Sequence, residues 1–319
     1  MKSAIITGAT GFIGSHLVKL LLENNINVLA LGRRNWNEVD QKKLIEHQNL
    51  TYLKLNMDSI EHLPTQIDRI NWKPTNDCVF YNFAWWGKSA LSDFEIGYQL
   101  QNVTWSAKAL IAAKKIGCNK FVHVGTMEEA FTKKYLNLDY HTNSEYNRHV
   151  IYSVSKMTSR NLLKLLSAEE NIGLIVATNS HVMGPHDDKD SFLQVTLQKL
   201  INGEDLIFST GEQYFDVISV GDCANAYKLI GEKGYPGSEY WVGSGEARPL
   251  KEYVKEMAEI YPSGKELQFG EYTYNDISLE KEDFNIDRLV KDTGFKPKKN
   301  YQETVIELYK YLNRNTKEN

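Results

Sequence analysis

Tyr152 and Lys156 stand four residues apart in Tyr152-Ser153-Val154-Ser155-Lys156. On a helix that spacing puts both on one face, a turn apart. An ammonium beside a phenol stabilises the phenolate and lowers its pKa, which suits the pair to move a proton near neutral pH. Taken alone, the same spacing describes an ordinary solvated helix turn. A third group joins them: the run Phe121-Val122-His123-Val124 ends in Gly125-Thr126. The Thr126 hydroxyl could hydrogen-bond a substrate oxygen; its plain alternative is a threonine closing a strand.

Chemistry at these groups needs a partner held nearby, and the start of the chain offers a way to hold one. Gly8-Ala9-Thr10-Gly11-Phe12-Ile13-Gly14 follows the apolar run Ala4-Ile5-Ile6-Thr7 and leads into a helical pattern at Ser15–Leu22. Strand, three glycines at G-x-x-G-x-x-G spacing, then helix is a device for gripping a pyrophosphate. The glycines permit a tight turn and close backbone approach, and the helix N-terminus presents unpaired N–H groups to the anion. Three glycines without that context would be weak; here the context is present.

The second strand pattern, Val28-Leu29-Ala30-Leu31, ends at Gly32-Arg33-Arg34-Asn35. A site that prefers NAD carries an acidic residue there, accepting from the ribose 2′-OH. Two guanidiniums stand in its place, and arginine matches a phosphate in charge and geometry. The expected cofactor is therefore NADP rather than NAD, unless Arg33 and Arg34 are simply solvated loop residues.

These groups must be positioned by an α/β framework. Strand patterns fall at 3–7, 26–31, 50–55, 77–83 and 119–125, and helical patterns at 12–24, 37–48, 93–116 and 152–170. Such alternation predicts a Rossmann-type doubly wound parallel sheet, with ligands at the carboxyl ends of the strands. Beyond about residue 180 the pattern is less regular, with helices at 191–202, 222–232, 249–261 and 301–314 and short extended pieces at 206–208 and 216–220. The reading is a dinucleotide-binding domain over 1–180, joined by contributions from about 205–232, and a smaller interleaved C-terminal substrate-binding lobe over 181–319.

The 319 residues are ample for a large core, and a formal net charge of −4 gives no basic field for nucleic acid. No apolar run approaches the roughly 18 residues of a membrane span, and no leader pattern precedes the first strand. Cys78, Cys118 and Cys223 are scattered without ligand spacing. They read as reduced packing residues of a cytoplasmic protein with no metal site.

With these pieces in order, the chain resembles the extended short-chain dehydrogenase/reductase family, particularly its nucleotide-sugar epimerases, dehydratases and reductases. The likeness spans nearly the whole length. It takes in the glycine turn, Asp58 after the third strand, Phe83-Ala84 at the end of the fourth, Asn102 in the long helix, Thr126, and Tyr152 with Lys156. Later come Thr178-Asn179-Ser180-His181-Val182-Met183-Gly184-Pro185, Asp216–Asp222 and Val242-Gly243-Ser244-Gly245. The resemblance implies a tyrosine acid/base, a lysine on the nicotinamide ribose, and a threonine orienting the substrate oxygen. It implies that Asp58 meets the adenine, that Phe83 and Ala84 line the dinucleotide groove, and that Asn102 belongs to the cofactor site. Core packing is the competing role for Phe83 and Ala84. Trp85 and Trp86 could set indoles against the nicotinamide or the sugar, or simply pack.

Within that family the arginine pair tilts the reading towards reduction, since a net reductase draws on exchangeable NADPH. Family 4,6-dehydratases carry Thr-Asp-Glu where this chain has Thr126-Met127-Glu128, and Met127 cannot transfer a proton. Glu128 is left as a sugar-binding or acid/base group, or as an acidic residue favoured by a helix N-terminus. The expectation is NADPH-dependent reduction of a keto group on a nucleoside-diphosphate 6-deoxy sugar, at C4, with Tyr152 as proton donor. Two departures weigh on the substrate end: Phe215 stands where relatives carry a pyrophosphate-binding arginine, and His181 where they carry an asparagine. Lys88, Lys189 and Arg248 could supply replacement charge, or be solvated surface groups. The rivals are a 4-epimerase with tightly held cofactor, a reductase of a small non-nucleotide carbonyl compound, and a non-catalytic dinucleotide-binding regulator. The resemblance also implies a homodimer through the helices at 93–116 and 152–170.

Overall fold

The computed structural model describes residues 1–87, 95–135, 150–187, 191–271, 273 and 277–317. Its strands in chain order are β1 (Ser3–Thr7), β2 (Asn27–Gly32), β3 (Leu50–Lys54), β4 (Val79–Asn82), β5 (Lys120–Thr126), β6 (Gly173–Asn179), β7 (His181–Met183), β8 (Leu206–Phe208), β9 (Tyr214–Phe215), β10 (Val217–Ser219), β11 (Glu239–Val242), β12 (Arg248–Pro249) and β13 (Leu267–Phe269). The helices are α1 (Phe12–Glu23), α2 (Leu63–Arg69), α3 (Ile96–Ile116), α4 (Glu128–Tyr135), α5 (Val150–Glu169), α6 (Phe192–Asn202), α7 (Val220–Lys233), α8 (Leu250–Ile260), α9 (Asp287–Thr293) and α10 (Tyr301–Lys317).

Seven strands form one sheet in the order β11-β6-β5-β4-β1-β2-β3, all parallel. The Rossmann-type sheet expected from the alternation is present. Strand order reverses between β1 and β4, where Thr7 lies opposite Asn82, so the ligand crevice belongs at their carboxyl ends. Successive strand residues feed opposite faces. Ala4, Ile6, Val28 and Ala30 pack with α1 and α7, whereas Ile5, Leu29 and Leu31 pack with α3 and the turn after β3. Each fully buried aliphatic side chain of this kind stabilises the fold by roughly 1.5–3 kcal/mol. A third core, with Leu193, Leu197, Val217, Tyr253, Met257 and Val305, is built from α6, β10, α8 and α10.

The five strand patterns and the helices at 12–24, 93–116 and 152–170 coincide with β1–β5, α1, α3 and α5 to within two or three residues over the described part. The helix expected at 37–48 is absent. A single 3-10 turn at Trp36–Glu38 is followed by turns, because the Asp40 carboxylate accepts the Lys42 N–H at 2.8 Å and its carbonyl takes Lys43 N–H. Side chains of this type compete with helix for backbone donors. Only Val39 and Leu44 are buried there, a spacing of five that no helical face repeats. Conversely, β6 and β11 extend the sheet beyond the strand patterns read from sequence, and a 3-10 turn at Met57–His62 with α2 fills the crossover after β3. Among the described residues no helix is long and apolar enough to cross a membrane.

Candidate active site

The seam between β1 and β4 is tied by one hydroxyl. Thr7 Oγ1 donates to Asn82 Oδ1 at 2.9 Å and accepts the Ala84 N–H at 3.1 Å. Gly8 follows at φ +66°, the left-handed region that favours glycine. A Cβ on Gly8 would stand 2.9 Å from Ala84 N, and one on Gly14 only 2.3 Å from the Gly8 carbonyl oxygen. The Gly11 N–H closes the turn on that same carbonyl at 3.0 Å. Helix α1 then starts without a side-chain cap and with no acidic residue in its first turn. Its leading N–H groups and positive end are left for an anion, and the cradle fits a dinucleotide pyrophosphate. Thr10, Phe12 and Ile13, on this turn and the first helical residues, are half-buried.

One strand-width away, β5 ends at Thr126 and α5 brings Tyr152 to it. Burial pushes the Tyr152 phenol above its ordinary pKa; the Thr126 side chain works against this, and the Glu129 and Glu128 charges reinforce it. Proximity to Lys156 was expected to lower the phenol. Instead the Lys156 ammonium donates to the Val124 carbonyl at 2.9 Å, lies 4.0 Å from the centroid of the Trp85 ring, and stands 6.0 Å from the Tyr152 ring. Its charge is spent on a carbonyl and an indole face, and burial decides the direction.

Trp85 completes the cluster. Its indole meets Tyr152 edge to face at 6.0 Å and is fixed by Nε1 donating to Gln99 Oε1 at 2.8 Å. Trp86 lies on α3, parallel to Trp105 at 5.9 Å and 4.7 Å from the Tyr98 ring. Asn102 is held by the backbone around it. Its amide grips the Trp86 backbone in both directions at 2.7 Å and donates to the Tyr98 carbonyl at 2.8 Å, so it shapes the loop after β4. Phe83 packs edge-on against Tyr227 at 4.7 Å, in keeping with a packing role.

Arg33 and Arg34 are exposed just past β2, and no ion pair among the described residues engages them. The Arg34 carbonyl is anchored by the Tyr52 hydroxyl at 2.8 Å. Asp58, exposed on the first turn after β3, accepts Asn56 Nδ2 at 2.9 Å. Glu128 begins α4, with its N–H on Thr126 Oγ1 at 3.4 Å. His181 opens β7, its ring 6.0 Å from Phe215; Nε2 is buried with no hydrogen-bond partner among the described residues, and burial pushes the imidazole down to about 4. Arg248 lies directly across from Phe215 in the β9–β12 pair, ion-paired to Glu256 at 2.7 Å. Lys88 and Lys189 lie outside the described residues.

Three residues that sequence reasoning passed over belong to the site's frame. Gln99 fixes Trp85, and the buried Glu129 pairs at 2.9 Å with the part-buried Arg160 beneath Thr126. Thr126-Met127-Glu128-Glu129 is a T-x-x-E helix-start pattern that could have revealed Glu129, and Arg160 continues the four-residue spacing of Tyr152 and Lys156.

The profile described as NAD dependent epimerase/dehydratase family matches residues 4–243. CDP-abequose synthase of Salmonella typhimurium is 26% identical over 97% of each chain. dTDP-glucose 4,6-dehydratase of Haemophilus influenzae is 24% identical over 82% of this chain and 80% of its own. Among solved structures, UDP-glucose 4-epimerase of Thermotoga maritima with UDP-glucose superposes with a TM-score of 0.77 at 21% identity, covering 98% and 99% of the two chains. UDP-glucuronic acid 4-epimerase of Bacillus cereus, in complex with UDP-glucuronic acid and NAD, gives 0.77 at 20% identity over the same shares. With three quarters of its length inside the family profile and the glycine cradle in place, the chain belongs to the NAD dependent epimerase/dehydratase family.

Proposed function

We propose that this chain reduces a keto group of a nucleoside-diphosphate sugar, drawing on NADPH, with Tyr152 as the proton donor. The observation that carries the reading is geometric: α5 sets Tyr152 and Lys156 one turn apart beside the end of β5 at Thr126, with the Trp85 indole against both. A protonated phenol is the form a reductase needs when charge develops on the carbonyl oxygen.

The cradle of Gly8, Gly11 and Gly14 with the α1 N-terminus would hold the pyrophosphate, and Arg33 with Arg34 the adenosine 2′-phosphate. Asp58 would sit at the adenine, Phe83, Ala84 and Trp85 along the groove, and Lys156 at the ribose. When bound, the nicotinamide supplies the hydride that a carbonyl carbon accepts. Thr126 holds the substrate oxygen, and Tyr152 passes its proton to that oxygen as negative charge builds. Met127 cannot serve as an acid, so elimination of water has no second carboxylic group at that place. Glu128, His181 and Trp86 are assigned to the sugar side, in the lobe beyond residue 180 and its rim. Similarity to CDP-abequose synthase over 97% of both chains supports a nucleotide sugar as substrate.

The test is cofactor oxidation against a panel of nucleoside-diphosphate 4-keto sugars and non-nucleotide ketones. NADPH consumption with a nucleotide sugar, lost in Tyr152→Phe with cofactor binding intact, is the expected result. A dinucleotide that purifies with the protein and never exchanges would replace the reading with an epimerase. Turnover retained in Tyr152→Phe would end the catalytic assignment.

A further inference from the structure

Where an NAD-preferring fold carries its acidic residue, this chain has Gly32, the last residue of β2. Its φ lies outside the left-handed region, so the backbone makes no demand for glycine there. The demand is for space. A Cβ on Gly32 would run into the Tyr52 hydroxyl and stand 3.1 Å from both Cε2 and Cζ of that ring.

Register aims Tyr52 at this spot. β2 and β3 run parallel, with Ala30 opposite Tyr52 and Gly32 opposite Lys54. Alternation puts all four on one face of the sheet, the face that packs with α1. The Tyr52 ring lies 5.2 Å from Trp36, and its hydroxyl donates to the Arg34 carbonyl at 2.8 Å. From the next position on that face, Lys54 Nζ donates to Asn35 Oδ1 at 2.9 Å, while Glu38 accepts the Asn35 N–H at 2.7 Å. The exposed Arg33 and Arg34 therefore stand on a step of backbone tied down from β3 and from the turn that follows. On its inner side the same strand end meets the glycine turn, where the Ala9 N–H donates to the Leu31 carbonyl at 3.4 Å.

A tyrosine kept for packing needs only its ring, which Trp36 already covers. The hydroxyl does two further things: it fills the room of a side chain at Gly32, and it restrains the residue two places on. We propose that Tyr52 is a positioning residue that sets which dinucleotide the site takes. Its hydroxyl closes the place from which a carboxylate would hold the ribose 2′-OH, and it steadies the Arg33-Arg34 step for a 2′-phosphate. The inference rests on the proposed preference for NADPH. Both effects act in one direction: no like charge stands beside the phosphate, and guanidiniums on a fixed step lose less freedom when they bind it.

The test needs neither substrate nor turnover. Calorimetry compares 2′,5′-ADP with 5′-AMP, which differ only in the 2′-phosphate, and the ratio of their Kd values is the reading. Tyr52→Phe keeps the ring against Trp36 and removes the hydroxyl. The ratio is expected to fall about three- to tenfold, the effect of one hydrogen bond, with 5′-AMP affinity held within about twofold. Thermal melting reads the space: Gly32→Ala should lower Tm in the parent and lower it less in Tyr52→Phe. An unchanged ratio in folded Tyr52→Phe, or an equal loss of Tm in the two backgrounds, would overturn the proposal. Arg33→Ser with Arg34→Ser separates the two readings. A ratio that falls there but not in Tyr52→Phe sinks the role of Tyr52 alone, whereas a ratio unmoved by the loss of both arginines sinks the NADPH preference and this proposal with it.

Discussion

Lys156 holds its ammonium against the face of Trp85, 4.0 Å from the ring centroid, while the same nitrogen donates to the Val124 carbonyl. Cation–π contacts of this type contribute about 0.5–2 kcal/mol. Trp85 is itself pinned by the buried Gln99. Gln99→Leu should therefore loosen the indole and with it Lys156. The expected effect is a three- to tenfold fall in kcat/KM (roughly 1 kcal/mol, one buried hydrogen bond), with melting lowered slightly. Unaltered kinetics in the folded variant would show that Trp85 needs no such anchor.

The proposed preference for NADPH rests on Arg33 and Arg34. Replacing both with serine should raise the KM for NADPH about tenfold or more, the cost of a charge-assisted phosphate contact, and leave the KM for NADH within a factor of about two. Steady-state kinetics with the two cofactors decides it. Equal effects on both would mean that these arginines are solvated loop residues.

Gly14→Ala introduces a methyl 2.3 Å from the Gly8 carbonyl oxygen. Backbone must move to accept it, and destabilisation of about 2 kcal/mol or more is expected, as for other overpacked positions. Dinucleotide affinity, followed by quenching of intrinsic fluorescence, should fall with it. A variant that binds as tightly as the parent would show that the turn is not the pyrophosphate cradle.

His181 gives stability a dependence on pH. Its imidazole is pushed from 6.5 down to about 4 by burial, so between those values the unfolded chain binds a proton that the folded chain refuses. Stability is complete above pH 6.5 and lost as pH falls towards 4, by at most roughly 3 kcal/mol because the ring is partly open to solvent. His123, neutral and buried, acts in the same sense. Urea unfolding at pH 7 and 4.5 should show a smaller acid loss in His181→Gln than in the parent. Parallel losses would place the proton elsewhere.

Tyr98 and Leu100 on α3 and Leu165 on α5 are large apolar side chains left exposed on two long helices packed together. A pairing of these helices with a second copy would cover them, and on that proposal sedimentation at micromolar concentration should give a dimer. Leu100→Glu with Leu165→Glu should yield a monomer; a parent that sediments as a monomer would refute the pairing.

The parallel sheet was readable because buried strands declare themselves as short apolar runs, and Gly8, Gly11 and Gly14 because their spacing has a mechanical meaning. The bonds of the Asn102 amide to the Trp86 backbone are not readable from sequence, because only the tertiary fold supplies that partner. The helix foreseen at 37–48 failed because Asp40 offers the backbone a nearer acceptor. Tyr152 and Lys156 were placed correctly on one helix face, but the direction of the phenol's shift depends on burial and on Glu129, neither visible in a spacing. Glu129 could have been suspected from T-x-x-E; Arg160 as its partner required β6 and β11 to be in place.

Asp216 is fully buried, where Ser180 Oγ donates to it at 2.7 Å and the Ser244 N–H at 3.0 Å, with the Ser244 hydroxyl alongside. It thereby knots three separate passages of the chain at the point where the polypeptide leaves the sheet, returns through α7 and β11, and departs again. The residues beyond 180 are therefore not a module that can be exchanged whole. Grafting a relative's segment there would have to splice the chain at several crossings and rebuild this knot at each. Change by single substitutions is the route the topology leaves open.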